Sequence, residues 1–309
     1  MKRRNRHKER ESKSIGLQTK PAAPVKKSND LSKTIKFFTQ GWGAYTIPLF
    51  LIILYYPFEL APYSAVLGLL CFLSMVYIIV MDMLPTKAET KNVSAPIWEL
   101  AKTLALAVVA WVLICIILQT GKPMNVVTSC SMLPVLHRGD LVFLQGGQIN
   151  APIAQISSSL KAADVSYVNC TVNYFNGSKA VTPCVSSIHA GSVDYPARTR
   201  NDVLIYDAEP AAYGAIIHRS VLWLAVGNQS FLLTKGDNNP GLDQQSGISP
   251  VTTDRINGKV ILTIPAIGYL KVFLFAGFDF LVRLTTGDIG YAMSAFDAPA
   301  GCDYVLSPN

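Results

Sequence analysis

Three apolar runs within the first 120 residues constrain the fold of this chain more than any other feature. They cover residues 43–58, 63–83 and 97–118. A helix needs about 20 consecutive apolar residues to cross a bilayer, so the second and third runs are long enough. The first run is short and contains Pro48 and Pro57. Only 15% of the residues are charged, against about 25% in an ordinary soluble domain. We therefore predict a membrane protein with two to three N-terminal transmembrane helices.

The positive charge of the chain is concentrated ahead of these runs. Residues 1–36 contain twelve Lys or Arg and three acidic residues, whereas the whole chain has a net charge of +7. A basic segment next to a transmembrane helix usually stays in the cytoplasm. This location indicates contact with the lipid bilayer and argues against a nucleic-acid partner. We predict a disordered cytoplasmic tail over residues 1–42 and a transmembrane region over residues 43–120. Three crossings would place the rest of the chain outside the cytoplasm, whereas two crossings would leave it on the cytoplasmic side.

Residues 121–264 have a different pattern, in which short β-type runs alternate with turn residues such as Gly146-Gly147 and Gly227-Asn228. Such punctuation is typical of an antiparallel β-domain. Residues 147–200 are rich in Ser, Ala, Asn and Gly, and we predict that they form an insertion in this domain. The β-type runs are residues 141–144, 203–206, 220–224 and 231–234.

The last part of the chain, residues 265–309, begins with a fourth apolar run. Residues 265–283 are interrupted by Lys271, Asp279 and Arg283, so a transmembrane helix, an interfacial helix and a core helix all fit the pattern. We expect this segment to associate with the membrane. The predicted fold class is a mixed membrane protein, in which N-terminal transmembrane helices precede a mostly antiparallel β-domain.

The six cysteines do not have the spacing of a metal site. Cys71 and Cys115 lie in apolar runs, where cysteine behaves as a small hydrophobic residue. Cys170 and Cys184 lie in the polar insertion, where a disulfide can form if the compartment is oxidising.

Two serines, Ser129 and Ser131, follow the third apolar run by about a dozen residues, within the stretch SCSMLPVLHRGD. A serine hydroxyl at a membrane surface can attack a peptide bond only if a base takes its proton. His218 lies at a junction of apolar β-type runs. The strand backbone before and after it would fix the position of its ring, as a general base requires. His137 is less suitable because the charge of the adjacent Arg138 lowers its basicity.

Two acidic residues follow the last β-type run. Asp237 and Asp243 lie in the turn sequence KGDNNPGLD, six residues apart. A carboxylate in this position could orient a histidine ring and stabilise its charged form. Acidic residues are also common in solvated turns, so this pattern alone does not decide between the two interpretations.

Taken in chain order, these segments resemble the type I signal peptidases, in the membrane-bound branch of archaea and the eukaryotic endoplasmic reticulum. The resemblance covers about residues 126–145 and 200–265. The bacterial branch has Lys as the base, whereas this chain has His218 at the matching position. The matching segments are Ser129-Cys130-Ser131-Met132-Leu133-Pro134, Gly139-Asp140, Asp202-Val203-Leu204-Ile205-Tyr206, Ile217-His218-Arg219, Gly236-Asp237-Asn238-Asn239 and Asp243.

The resemblance implies a serine endopeptidase that works without a cofactor or metal. It implies that Ser131 is the nucleophile and His218 the general base and acid. Asp243 would be the main orienting acid and Asp237 a supporting one, although the sequence itself does not rank the two. The Ser129 hydroxyl and the Ser131 amide would form the oxyanion hole.

Met132 and Pro134 would shape the turn and the wall of a shallow pocket, which small residues at the −1 and −3 positions of the substrate would fit. The implied substrates are precursor proteins with signal peptides, and the protein translocation channel is a further expected partner. The chain departs from the family pattern at Val135, where Thr is usual, and at Cys130, beside the nucleophile. The insertion is also larger than the resemblance explains.

Three N-terminal spans exceed the single anchor typical of the reticulum enzyme. We therefore expect a multi-pass protein of an archaeal cell membrane, with the catalytic domain on the extracytoplasmic side; the endoplasmic reticulum membrane is the alternative. The alternative function is a non-catalytic membrane scaffold or binding protein that retains the signal-peptidase β-domain.

Overall fold

The computed structural model describes residues 45–58, 63–83, 94–156, 163–198, 200–299 and 301–308. The basic tail predicted over residues 1–42 lies outside these ranges. So do residues 84–93, the polar segment between the second and third apolar runs, and residues 157–162 of the insertion.

The three N-terminal apolar runs form helices α1 (Thr46–Tyr55), α2 (Ser64–Met83) and α3 (Ser94–Leu118). Among the described residues, one helix is long and apolar enough to cross a membrane, through its segment Ala101–Leu118 with a mean hydropathy of 2.5. Helix α1 has ten residues and is therefore only about 15 Å long, half the thickness of the hydrocarbon core. Of the two to three transmembrane helices that the sequence predicts, the structure supports one, α3. The other transmembrane helices remain a prediction.

The C-terminal apolar run forms helix α4 (Tyr269–Leu284), which is followed by the short helix α5 (Ile289–Met293). One face of α4 packs with α1 and α2 around a buried aromatic cluster. Gly277 allows this contact, because a Cβ there would lie 2.1 Å from the Phe72 ring. The opposite face of α4 exposes Phe275, Phe278 and Val282. A helix that joins an apolar helix pair and exposes large apolar side chains fits the expected membrane association. The buried aromatic residues are Tyr55, Phe72, Tyr269, Phe273 and Phe296.

The β-domain consists of two sheets, and the larger one is antiparallel at every pairing except β3–β8. Its strand order is β1-β2-β10-β7-β8-β3, with β9 paired to β8. The prediction of a mostly antiparallel β-domain is confirmed. The strands of the chain are β1 (Met124–Val126), β2 (Leu141–Gln145), β3 (Ile153–Ile156), β4 (Ala163–Tyr174), β5 (Lys179–Ala190), β6 (Val193–Pro196), β7 (Val203–Asp207), β8 (Ala215–Val226), β9 (Gln229–Lys235), β10 (Ile256–Ile264) and β11 (Tyr304–Pro308).

The smaller sheet has the order β11-β4-β5-β6 and combines the predicted insertion with the C-terminal strand. It packs on the larger sheet through buried apolar side chains, among them Val185 and Ile188 against Leu222 and Leu224. The Cys170–Cys184 disulfide joins β4 to β5. The sequence does not predict β11, because its pairing partner in the register Tyr304↔Tyr174 lies far away in the chain.

The turn that carries Ser131 is anchored to the start of α4. Gly139 has a φ of +84°, and a Cβ there would lie 2.2 Å from the Tyr269 ring, so only glycine fits. The buried Asp140 carboxylate accepts hydrogen bonds from the backbone N–H of His137 at 2.9 Å and of Ala266 at 3.3 Å. The Gly-Asp pair of the sequence motif thus connects the serine turn to the helical cluster.

Candidate active site

Ser131 lies in the loop between β1 and β2, and the residues around it are fixed by burial and backbone hydrogen bonds. Val127 and Leu136 pack with Ile205 in one apolar cluster. The base of the loop is closed by the Val127 N–H, which donates to the Asp140 carbonyl at 2.9 Å, and by the Gly139 N–H, which donates to Val127 at 2.8 Å. Ser131 itself remains half-buried at the surface of this loop.

His218 is brought to Ser131 by β8, which pairs with β7 in the register Leu204↔His218. The Ser131 Oγ atom lies 2.9 Å from His218 Nε2. The other ring nitrogen, Nδ1, lies 2.7 Å from Asp243 Oδ2. The side chains of His218 and Asp243 are only 8% and 2% exposed, so water competes little for these contacts.

The direction of these hydrogen bonds follows from the Asp243 charge. An ionised carboxylate only accepts hydrogen bonds, so His218 Nδ1 carries the proton and donates it to Asp243. Nε2 is then unprotonated and accepts the hydrogen bond from the Ser131 hydroxyl. In this state His218 can take the proton of Ser131, as a general base must.

Asp243 begins the short helical turn Asp243–Ser246 after β9. Burial alone raises the pKa of its carboxyl group, but the hydrogen bond and the charge of His218 outweigh this effect. Hydrogen bonds from Thr234 and Tyr206 act in the same direction. The pKa of Asp243 is therefore held below its ordinary value of 3.8, and the group is a carboxylate at neutral pH.

Two residues that the sequence analysis missed complete the Asp243 environment. The Tyr206 hydroxyl lies 2.7 Å and the Thr234 hydroxyl 2.6 Å from Asp243 Oδ2, and both side chains are fully buried. The alternation of strand residues is the signal that could have found them. Tyr206 lies two residues from Leu204, the partner of His218, and Thr234 pairs with Ser220, two residues after His218. All of these side chains therefore share one face of the sheet.

We expect Tyr206→Phe and Thr234→Val each to lower kcat about 5- to 30-fold, with little change in KM. Each substitution removes one hydrogen bond to a buried carboxylate, an interaction of about 1–2 kcal/mol. Steady-state kinetics of peptide cleavage measures the effect. Tyr213→Phe is the matched control, because the Tyr213 hydroxyl donates to Ser246 at an exposed site. Equal activity of the Tyr206 variant and this control would contradict the expected role.

Asp237, the second predicted acid, is not brought to the histidine ring. Its carboxylate accepts two hydrogen bonds from Arg219, from Nε at 2.8 Å and from Nη2 at 2.6 Å. Arg219 Nη1 donates to the Asn201 carbonyl at 2.7 Å. Asp237 therefore holds the residue that follows His218 in β8, and its support of the base is indirect.

Ser129, the predicted oxyanion donor, lies beside the nucleophile, with its Oγ atom 3.2 Å from Ser131 Oγ. Met132 has no exposed surface and packs in the apolar cluster under the turn. Met132 therefore supports the turn from below, which is one part of its predicted role, but it does not line the pocket, which is the other part. Pro134 is exposed and lines a cavity of about 520 Å³ together with Leu133 and Val305.

A larger cavity of about 610 Å³ is lined by residues 119–122, which follow α3, and by residues 146–149, and it does not include Ser131 or His218. Among the described residues that line this cavity, Lys122 is the one titratable residue, so the cavity offers little for acid–base chemistry. Within the part of the chain that the structure describes, no group of three or more His, Cys, Asp or Glu side chains could hold a metal ion.

A second contact between a serine, a histidine and an aspartate occurs on the smaller sheet. Ser166 Oγ lies 2.6 Å from His189 Nε2, and His189 Nδ1 contacts Asp194 Oδ1. The side chains of His189 and Asp194 are 43% and 64% exposed. In water such a histidine gains little from its carboxylate, so this group lacks the desolvated setting of His218 and Asp243.

Comparisons with known proteins agree with the resemblance of the motifs. The signal peptidase complex catalytic subunit SEC11 of Colletotrichum graminicola is 25% identical over 195 residues, which are 62% of this chain and 87% of the relative. Subunits of the same name from Verticillium alfalfae and Neurospora crassa are 25% and 26% identical over the same lengths. A comparison with protein-family models finds no match.

The relatives share one name, and the similarity extends over most of their length. In this chain a serine, a histidine and an aspartate that are distant in sequence are hydrogen-bonded in series. The chain is similar to catalytic subunits of the signal peptidase complex, and this similarity agrees with the resemblance of its motifs to the type I signal peptidases.

Proposed function

We propose that this chain is a membrane-bound serine endopeptidase that removes signal peptides from secreted and membrane precursor proteins. The observation that carries the proposal is the series Ser131–His218–Asp243, in which the histidine and the aspartate are buried and the heavy-atom distances are 2.9 and 2.7 Å. These distances are within the reach that proton transfer requires. The names of the relatives supply the substrate class, because they are catalytic subunits of a signal peptidase complex.

The proposed reaction forms an acyl-enzyme. The Ser131 oxygen attacks the carbonyl carbon of the scissile bond, while His218 Nε2 takes the serine proton. His218 then gives this proton to the leaving amine as the peptide C–N bond breaks. A water molecule, deprotonated by the same nitrogen, releases the signal peptide with a new carboxyl group and restores Ser131. Asp243 stabilises the positively charged imidazole in both halves of the reaction.

The negative charge that develops on the carbonyl oxygen requires hydrogen-bond donors. The Ser129 hydroxyl and the Ser131 backbone N–H are the proposed donors, and Ser129 Oγ lies close enough to the nucleophile for this role. Removal of one such donor from a serine protease typically lowers kcat about 10²- to 10³-fold. Pro134 is the proposed wall of the substrate pocket, which takes small residues at −1 and −3.

The membrane organisation is part of the proposal. Residues 1–42 form a basic cytoplasmic tail, residues 43–120 two to three transmembrane helices, and residues 265–309 a membrane-associated segment with its tail. Residues 121–264 form the catalytic domain, with an insertion at residues 147–200. The segment Ala101–Leu118 leads into β1 after a few residues, which keeps Ser131 near the membrane surface where a signal peptide emerges.

The proposed location is a membrane with the β-domain on its extracytoplasmic side. Two disulfides in this domain fit an oxidising compartment. The fungal relatives favour the reticulum membrane, the alternative to an archaeal cell membrane. Because these relatives are named as subunits of a complex, partner subunits and the translocation channel are proposed to act with this chain.

Cleavage of a defined precursor tests the function. Full-length protein reconstituted in lipid vesicles is incubated with a precursor that has Ala at −3 and −1, and mass spectrometry identifies the new N-terminus. We expect one cut after the −1 residue. When Phe replaces Ala at −1, the cleavage rate should fall by about 100-fold or more, because a small pocket excludes the ring. Equal cleavage of both precursors would contradict the pocket. Binding of the precursor without cleavage would contradict the peptidase and support the scaffold.

A further inference from the structure

The nucleophile turn is covalently attached to the C-terminal end of the chain. Cys130, the residue before Ser131, forms a disulfide with Cys302, which lies 172 residues further on and has its Cα atom 4.9 Å away. Both cysteines are buried. In the sequence Cys130 is unusual only as a neighbour of the serine, and neither the resemblance nor the catalytic series accounts for this bond.

Cys302 belongs to a segment that is itself firmly held. Strand β11 begins two residues later and pairs with β4 over the register Tyr304↔Tyr174 to Pro308↔Cys170. The Leu306 side chain is buried against the Cys170–Cys184 disulfide and Val172. The segment can therefore serve as a fixed support, since a strand paired along its length and buried on one face has little freedom to move.

A single buried side chain connects the same parts by hydrogen bonds. Asn238 Nδ2 donates to the Cys130 carbonyl at 3.2 Å and to the Tyr304 carbonyl at 3.0 Å, and Asn238 Oδ1 accepts from the Leu306 N–H at 2.8 Å. The Asn238 backbone N–H donates to the Ser131 carbonyl at 2.7 Å. Asn238 thus binds the residue before the nucleophile, the nucleophile itself and β11.

The surrounding packing leaves no room for a compensating shift of the turn toward Asn238. A Cβ at Gly236 would lie 2.7 Å from the Ser131 carbonyl oxygen, so the β9 turn already touches the nucleophile backbone. The Ser131 turn is therefore held both by this contact and by the disulfide at Cys130. A displacement of about 1 Å between reacting groups can lower a catalytic rate about 10²-fold.

We propose that Cys130, Cys302 and Asn238 are positioning residues, which use the C-terminal strand as a support to hold Ser131 within hydrogen-bond distance of His218. The inference rests on the proposed peptidase function and extends it to residues 301–308, outside the segments that resemble the family. It also gives the smaller sheet a role, because that sheet carries the supporting strand.

Reduction of a folded protein tests the disulfide, and cleavage by the oxidised test protein shows that this protein has folded before it is reduced. The test protein carries Cys170→Ser and Cys184→Ser, so that Cys130–Cys302 is the disulfide left in it among the described residues. Dithiothreitol reduces this bond to two thiols and is itself oxidised to its cyclic disulfide. We expect kcat for precursor cleavage to fall about 10- to 100-fold with KM unchanged within twofold, and to recover on reoxidation.

The matched control is the Cys130→Ala, Cys302→Ala variant, which keeps the Cys170–Cys184 disulfide. Its kcat should already be low and should not respond to dithiothreitol. If the disulfide had a merely structural role, its reduction would lower the Tm of the test protein but leave kcat unchanged. Full retention of kcat by the reduced test protein would overturn the inference.

Asn238 supplies an independent variant. Asn238→Asp keeps an oxygen that can accept from Leu306 but loses the two bonds that Nδ2 donates to Cys130 and Tyr304. We expect kcat to fall about tenfold or more at unchanged KM, because a buried carbonyl loses its donor and faces a carboxylate. Activity of this variant equal to that of the unaltered protein would contradict a positioning role for Asn238.

Amide hydrogen exchange separates this inference from the proposed function. If the oxidised protein does not cleave the precursor, the peptidase proposal fails, yet exchange in residues 129–137 still measures how the turn is held. Faster exchange in these residues after reduction of the test protein, and no change in the control, would support the inference. Unchanged exchange in the reduced test protein would overturn it.

Discussion

Ser131→Ala and His218→Ala are each expected to lower kcat/KM for precursor cleavage by about 10⁴-fold or more. Without the Ser131 oxygen no acyl-enzyme can form, and His218 Nε2, 2.9 Å from that oxygen, is the atom proposed to take its proton. In serine proteases the loss of either group lowers kcat by about 10⁶-fold, since the two act as one unit. The double variant should therefore be hardly less active than either single one. Rates of product formation, measured over several days for the slow variants, provide the comparison.

The chain contains its own control for these two substitutions. Ser166 and His189 form a similar contact on the smaller sheet, so Ser166→Ala and His189→Ala change the same residue types at an exposed site. We expect both control variants to retain activity within about twofold, as surface substitutions usually do. If the control variants lost cleavage and the Ser131 variant kept full activity, the active site would lie on the smaller sheet.

Asp243→Asn is expected to lower kcat about 10³- to 10⁴-fold while the protein remains folded. The amide has nearly the shape of the carboxylate, but it carries no charge to stabilise a protonated His218 and can leave the ring in the wrong tautomer. Asp237→Asn is the matched control. It removes one partner of Arg219 and should lower kcat about tenfold or less. Comparable losses in the two variants would show that the two acids share the orienting role.

The same carboxylate should affect how stability depends on pH. The pKa of Asp243 is lower in the folded protein than its ordinary value of 3.8. Its contribution to stability is therefore present above that ordinary value and is lost as the pH falls through the lower, folded-state pKa. The stability difference between the unaltered protein and Asp243→Asn should be largest near neutral pH and should shrink toward acid pH. Thermal unfolding at a series of pH values measures this difference, and a constant difference would contradict the coupling.

Much of the site could be predicted from the sequence because its chemistry depends on short segments. The Ser129–Asp140 stretch combines a nucleophile with the Gly and Asp that form its turn. His218 lies in an apolar strand, and Asp243 follows the next strand closely. The residues of these segments are required by the local backbone, as Gly139 is by its positive φ. The order of the segments along the chain is also that of a known family.

For the helices, the sequence predicts the secondary structure but not the relation to the membrane. Apolar composition identifies α1, α2, α3 and α4 as helices, since long runs of such residues form few other structures. Composition does not say which of them crosses a bilayer. Helix length and packing separate α3, with its exposed apolar surface, from α4, with one face buried against α1 and α2.

Contacts between distant segments could not be predicted in this way. The ranking of Asp243 over Asp237, the hydroxyl groups of Tyr206 and Thr234, and the Cys130–Cys302 disulfide all depend on strand register and on how the two sheets pack. A shift of one residue in the β7–β8 register would turn Tyr206 away from Asp243. Sequence by itself therefore determined which residue types could perform the reaction and where their segments lie. The tertiary structure alone decided which carboxylate reaches His218 and what holds Ser131 in place, because those contacts join residues that no local pattern connects.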